Sequence, residues 1–282
     1  MNPITFSVLG VGAWGPGFSD WRTLTALMST QHSDPALQDN YRKGPKPQII
    51  PANERRRAPV AVRLAVESSW QAVNNANISP KDLACVFASG YGDTQLTDYM
   101  CRALNTENKQ LSPTKFHNSV HNAAAGYWTI STDCNAPANS IAGLEWSVPL
   151  ALLDAIIQSA QEQRPLLITC FDADVAPTML PIMDNDFLFS SSIVVTTEKV
   201  SHAPQFTLEL IQQACDWPPV ELNNQLQSLY NDNPSAKMLA LLSLISLPAK
   251  HSTQTSNLSI NLPINEHSLI RITRVCDKNY EN

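Results

Sequence analysis

The chain has 282 residues, long enough for one large domain or two modest ones, and its 43% hydrophobic content suits a protein with a buried core. A formal net charge of -6 argues against nucleic acid as a partner, because binding phosphates draws on clustered lysine and arginine. No stretch reads as a membrane span and residues 1–6 carry no basic start of a signal peptide, so a cytoplasmic protein is expected.

In chain order, residues 4–11 read as a strand that ends in a glycine-rich turn over 10–17, and 20–29 as a short helix. Residues 32–53, rich in Pro, Asn and Gln, read as a long surface loop. Arg55-Arg56-Arg57 opens a helix over 59–76, whose Val62, Ala65, Val66 and Trp70 recur near the helical period. A turn (77–82) and a buried strand (83–89) follow. Next comes a helix to about Leu104, with Asp93 or Thr94 as N-cap. Residues 113–122 read as a loop, 123–132 as a helix and 139–142 as a strand. That strand turns sharply at Gly143-Leu144-Glu145 into a helix over 146–163, with Pro149 in its first turn, where a missing N–H costs little. The remainder reads as strands at 166–171, 187–197 and 205–211, helices at 219–230 and 234–246, and a strand pair at 258–262 and 268–275. Strands separated by helices predict a layered α/β fold on a mainly parallel or mixed sheet.

Several local patterns carry little chemistry. Gly10-x-Gly12-x-x-Gly15 matches the dinucleotide fingerprint, but Pro16-Gly17 follows where a helix N-terminus would have to hold the pyrophosphate, so it reads as a strand-end turn. His117 and His121 have metal-ligand spacing without the glutamate of a zinc protease or a third ligand, and read as structural. The six cysteines are scattered with no C-x-x-C pair, which fits free thiols. Arg55-Arg56-Arg57 reads as a solvated face, with an anion or carrier-protein contact as the functional alternative. All nine glycines lie at or before Gly143, so a glycine-built loop site has to come from the first half of the chain or from another chain.

The informative stretch is Phe116-His117-Asn118-Ser119-Val120-His121-Asn122-Ala123-Ala124-Ala125-Gly126, continuing to Asp154. Asn-Ser-Val-x-Asn-Ala-Ala-Ala-Gly resembles the string that β-ketoacyl synthases carry before their nucleophile, and residues 137–141 resemble the strand leading into the nucleophile turn. With Pro137 and Asp154 as ungapped anchors, the family's cysteine falls on Glu145. The first strand, Arg63 to Ala72 and Cys85 to Gly92 resemble the family's opening strand, first long helix and Gly-x-Gly turn. The resemblance covers about the first 200 residues. It points to the short, chain-length-factor-type relatives of aryl-polyene-type synthesis, to which Asn233-Pro234-Ser235-Ala236 and the closing strand are also similar.

The resemblance implies a thiolase-like layered α/β fold, with residues 1–200 as a ketoacyl-synthase N-terminal-like domain and 201–282 as a reduced C-terminal extension on the same core. Claisen chemistry in the family requires a thiolate at a helix N-terminus, two histidines and an oxyanion hole. Glu145 cannot form a thioester, and His202, His251 and His267 match neither histidine motif. The expected role is a non-catalytic subunit in fatty-acid or polyketide-type chain elongation. Its partner would be an active β-ketoacyl synthase in a heterodimer, with an acyl carrier protein as a further contact and no cofactor or metal. Asn118, Ser119, His121, Asn122, Leu144, Glu145 and Trp146 are the candidate tunnel and interface residues. Two alternatives stay open: a malonyl-carrier decarboxylase that primes synthesis with Glu145 in place of cysteine, and a stand-alone acyl-binding scaffold.

Overall fold

The computed structural model describes residues 2–29, 41–248 and 258–275. Its frame is one mixed sheet of eight strands in the order β3-β2-β4-β5-β1-β6-β8-β7. The strands are β1 (Ile4–Trp14), β2 (Ala84–Ala88), β3 (Ala138–Ile141), β4 (Leu166–Asp172), β5 (Phe189–Thr196), β6 (Gln205–Ile211), β7 (Ser259–Asn265) and β8 (Ser268–Arg274). Only β3, β2 and β4 run parallel, and every other neighbouring pair is antiparallel. β2, β4 and β5 are buried along their whole length; β2 and most of β4 are apolar, while β5 carries three buried serines, Ser190–Ser192, of which Ser190 and Ser192 are hydrogen-bonded.

The helices are α1 (Trp21–Ser29), α2 (Ala52–Arg55), α3 (Val60–Ala76), α4 (Thr94–Leu104), α5 (Pro113–His117), α6 (Ala123–Thr132), α7 (Ser147–Glu162), α8 (Asn224–Asp232) and α9 (Leu239–Ser246). α3 and α6 cover one face of the sheet, where Leu64, Val66, Val73 and Trp128 join Phe87 and Val194 in one apolar cluster. On the other face α7 and α9 bring Val148, Leu152, Leu241 and Leu242 against Val86, Ile168 and Ile193. Leu262, Ile270 and Ile272 of the last hairpin belong to that second cluster. β7 touches both α7 and the turn before it, so the sheet curls over α7 instead of continuing flat.

Some element boundaries differ from the sequence expectation. β1 does not end at 11 but runs through Gly10 and Gly12 to Trp14. The reason is α3, which crosses β1 so closely that a β-carbon on Gly10 would lie 2.5 Å from the Ala76 nitrogen, and one on Gly12 2.8 Å from that of Ala72. The expected loop at 113–122 contains α5, started by Ser112, whose hydroxyl accepts the Lys115 N–H, with Pro113 in the first turn. The helix expected at 219–230 starts later, at Asn224, where the Asn223 side chain caps it. Part of the expected loop at 32–53, together with His251 and Cys276, lies outside the described residues.

Candidate functional site

The C-terminal ends of the three parallel strands lie side by side, which is where open α/β sheets build their ligand sites. β3 passes through Gly143 into a 3-10 turn, Leu144–Trp146, and then into α7. Leu144 is left-handed, with φ 52°. That conformation costs a residue with a β-carbon roughly 1–2 kcal/mol. The Ser147 hydroxyl holds it by accepting the Gly143 N–H at 2.9 Å and donating to the Leu144 carbonyl at 2.7 Å. A β-carbon on Gly143 would stand 2.6 Å from Leu150 Cδ1, so a side chain there would have to displace that leucine's tip. A strained strand-to-helix turn is the geometry that presents a nucleophile. Here its tip carries Leu144 and Glu145, both exposed, followed by half-buried Trp146.

Beside the tip, the turn after β2 is tied to a buried carboxylate that the sequence reading missed. Asp172, at the end of β4, is wholly enclosed. Its Oδ1 accepts the Ser89 hydroxyl at 2.7 Å and the Tyr91 N–H at 3.0 Å. Its Oδ2 accepts the Gly90 N–H at 3.1 Å and the Ser235 hydroxyl at 2.6 Å. Burial pushes this carboxyl above the usual range, and the four donors pull it back. Ser235 belongs to a second 3-10 turn, Pro234–Met238, which closes the site from the C-terminal side. Gly90 lies between them: a β-carbon there would be 2.5 Å from Pro234 Cβ and 2.8 Å from the Leu144 carbonyl. In the same turn the buried Lys237 ammonium donates to the Tyr230 and Asn231 carbonyls at 2.6 and 3.2 Å. Burial lowers its pKa, while the charges of Glu145 and Asp232 oppose that shift.

Three of the other sequence candidates gather on the far side of the Gly90–Gly92 turn. Asn118, Ser119 and His121 line a cavity of about 220 Å³ walled by Val62, Leu96 and Phe171. Asn122, Leu144, Glu145 and Trp146 are not among its lining residues. Asn118 is buried, donates to the Arg57 carbonyl at 3.2 Å and accepts the Tyr127 hydroxyl at 3.2 Å, so it joins the segment before α3 to α6. His121 Nε2 lies 3.0 Å from the Ile141 carbonyl and links the cavity wall to β3. The Ser119 hydroxyl donates to the Phe116 carbonyl, and Asn122 stands at the start of α6 without making a side-chain cap. His117 closes α5 while His121 lies beyond it, so the pair does not share one helical face. Among the described residues no thiol reaches the elbow: Cys85, Cys134 and Cys170 are buried, Cys101 sits on α4 and Cys215 between β6 and α8. Burial pushes the Cys85 thiol up to about 12 and that of Cys170 further.

The eight-stranded mixed sheet and its strained strand-to-helix elbow agree with the thiolase-like fold of the ketosynthases. The family described as beta-ketoacyl synthase, N-terminal domain, matches residues 28–259, and the chain belongs to it. Among solved structures, the ketosynthase ApeO in complex with its chain length factor ApeC from Xenorhabdus doucetiae contains a similar chain. It is 19% identical with a TM-score of 0.67, and the match covers 96% of this chain and 100% of that one. The ishigamide ketosynthase/chain length factor is 13% identical with a TM-score of 0.67, over 96% of this chain and 99% of that one. The ketosynthase from module 6 of the bacillaene synthase from Bacillus subtilis 168 is 11% identical with a TM-score of 0.56, over 81% of this chain but only 44% of its own. A search of curated protein sequences finds no match. Among the described residues, no helix is long and apolar enough to cross a membrane.

Proposed function

We propose that this chain is a non-catalytic, chain-length-factor-like subunit that pairs with an active β-ketoacyl synthase through the free edge of β3. The observation that carries this is the contrast between the two sheet edges. At one edge β7 carries Pro263 and a bulge before Asn265, both of which blunt strand pairing. At the other, β3 (Ala-Asn-Ser-Ile) has no such protection. The bonds from Cys85 N–H to Pro137 O and from Ser89 N–H to Ile141 O put the odd-numbered residues on the β2 side. Ala138 and Ser140 therefore direct their N–H and C=O groups outward, ready for a strand of another chain. Exposed Ile130 of α6 and Val120 give the surroundings of that edge an apolar character.

The elbow supports a subunit without condensing activity of its own. Whether Leu144 or Glu145 takes the nucleophile position, no thiol is there to receive an acyl group. His202 and His267 lie in exposed turns. The structural matches support the pairing, since they cover 99–100% of the matched chains from ketosynthase–chain length factor structures. Arg56 and Arg57 are exposed just before α3 and suit an acidic carrier protein as a further partner.

The test is co-expression with the β-ketoacyl synthases of the source genome, followed by size exclusion with mass determination. A one-to-one complex is expected, and Ala138→Pro, which removes only an outward N–H, abolishes it while the chain stays folded. A chain that ignores every synthase and alone turns over malonyl carrier protein would replace this reading with decarboxylative priming through Glu145.

A further inference from the structure

Leu144 combines two properties that rarely occur together. Its backbone is left-handed, and its side chain is 57% exposed. Five other non-glycine residues among those described have positive φ: Asn77, Lys109, Asp133, Gln163 and His202. All are polar, and three of them end helices, which is the usual place for such a residue. Leu144 alone is apolar and ends no helix.

The turn itself makes no demand for a leucine. Glycine would adopt the same φ without strain. The bonds that hold the tip run through the Gly143 N–H, the Ser147 hydroxyl and the Leu144 carbonyl, none of which is a Leu144 side-chain atom. The side chain gives the core little, because more than half of its surface faces outward. A strained position persists where the surrounding structure over-determines it, and such positions cluster at sites of contact. The leucine side chain is therefore explained by something outside this chain.

We propose that Leu144 is an anchor of the interface with the synthase partner, its side chain seated in an apolar depression of that subunit. The inference rests on the pairing proposed above and names the residue that fastens it. Three observations favour the synthase as occupant. The tip stands three residues past Ile141, the end of the unprotected strand, so an edge-paired subunit lies against it. Val120, 53% exposed, adjoins His121, which is bonded to the Ile141 carbonyl, so the apolar surface continues across the strand end. The chains matched over their full length come from ketosynthase–chain length factor structures. Leucine is not a frequent anchor at interfaces, where Trp, Tyr and Arg prevail. What singles out Leu144 is its rigid presentation, since the Ser147 bridge fixes the backbone before any partner arrives and less ordering is left to the binding step.

The test compares full-length wild type with Leu144→Gly and Leu144→Ala, each titrated against the purified synthase that co-purifies with the wild-type chain. Thermal melts are run on the free chains. Leu144→Gly relieves the left-handed strain while removing the side chain, so it is expected to melt at the wild-type temperature or higher. Its Kd for the synthase is expected to rise at least tenfold. Leu144→Ala keeps the strain and is expected to weaken binding to a similar degree. Wild-type affinity in Leu144→Gly would overturn the proposal. So would a lower melting temperature in both variants, which would place the side chain in this chain's own fold. Loss of a homodimer, with synthase binding unchanged, would instead assign Leu144 to a second copy and overturn the proposal as well. If wild type itself binds no synthase, the failure lies in the pairing.

Discussion

At the scale of single residues, Asp172 is where the chain commits most. A buried carboxylate without donors would be expelled or protonated. Here each oxygen accepts one backbone N–H and one hydroxyl, so four donors from two segments, 89–91 and Ser235, converge on two atoms. Asp172→Asn is nearly isosteric, yet either orientation of the amide sets its NH2 against a backbone N–H, of Gly90 or of Tyr91. Neither donor can turn away. We expect a loss of about 2–3 kcal/mol in stability, from the cost of a buried donor without an acceptor, measured by denaturant unfolding at neutral pH. The pH dependence has a definite sign. Burial raises the native carboxyl above its unfolded value, so the native state keeps this proton to higher pH than the unfolded chain does. The Asp172 contribution to stability therefore falls as pH rises from about 4, the ordinary carboxylate value, through its native pKa, and levels off beyond it. Subtracting the Asp172→Asn profile of stability against pH from the wild-type one isolates that slope. A flat difference would show that the four donors fully offset burial.

Between elements, the closest approach is that of β1 and α3, and it depends on two missing side chains. Gly12→Ala places a methyl group against the Ser68 carbonyl and 2.8 Å from the Ala72 nitrogen, and both are backbone atoms, which cannot rotate away. The expected cost is about 3 kcal/mol, at the upper end for overpacking, read as a lower denaturation midpoint with an unchanged slope. The same pair shows why the sequence was legible only in part. Strand β6 and helix α6 stand where the hydrophobic pattern put them, because that pattern reports burial locally. Gly10-x-Gly12 reads as a strand-end turn because glycine signals either a turn or a close approach, and only the crossing of α3, sixty residues later, decides which. Asp172 escaped for the same reason. A carboxylate after an apolar strand looks solvated until Ser89 and Ser235, 83 and 63 residues away, are seen to reach it. The elbow, by contrast, was legible as a sharp turn at Gly143-Leu144-Glu145, while its strained tip at Leu144 was not, since no residue-type preference places a leucine there.

For the whole molecule, the question is whether residues beyond about 200 form a unit of their own. A separate cap would bury its apolar residues within itself. Instead Phe206, Leu208, Leu262, Ile270 and Ile272 share one cluster with Val86, Leu152, Ile168 and Ile193 from the first half. β6 is paired directly to β1, so the sheet has no internal edge at the proposed boundary. Asn233 adds a polar tie, donating to the Phe187 carbonyl at 3.2 Å and to Asn185 Oδ1 at 3.3 Å. An interface built this way is a core cut in two, and neither part covers its half alone. We therefore expect one cooperative thermal transition for the full chain, with calorimetric and van't Hoff enthalpies in agreement. Truncation after residue 200 would uncover the α7 face of the sheet, including Leu152 and Ile156, and leave β1 as a long unpaired edge. The truncated chain is expected in the insoluble fraction, or in solution as an aggregate that binds a hydrophobic dye. A soluble fragment of residues 1–200 with a sharp melt would instead show that the first half folds alone, and would make the C-terminal strands an addition to a complete domain.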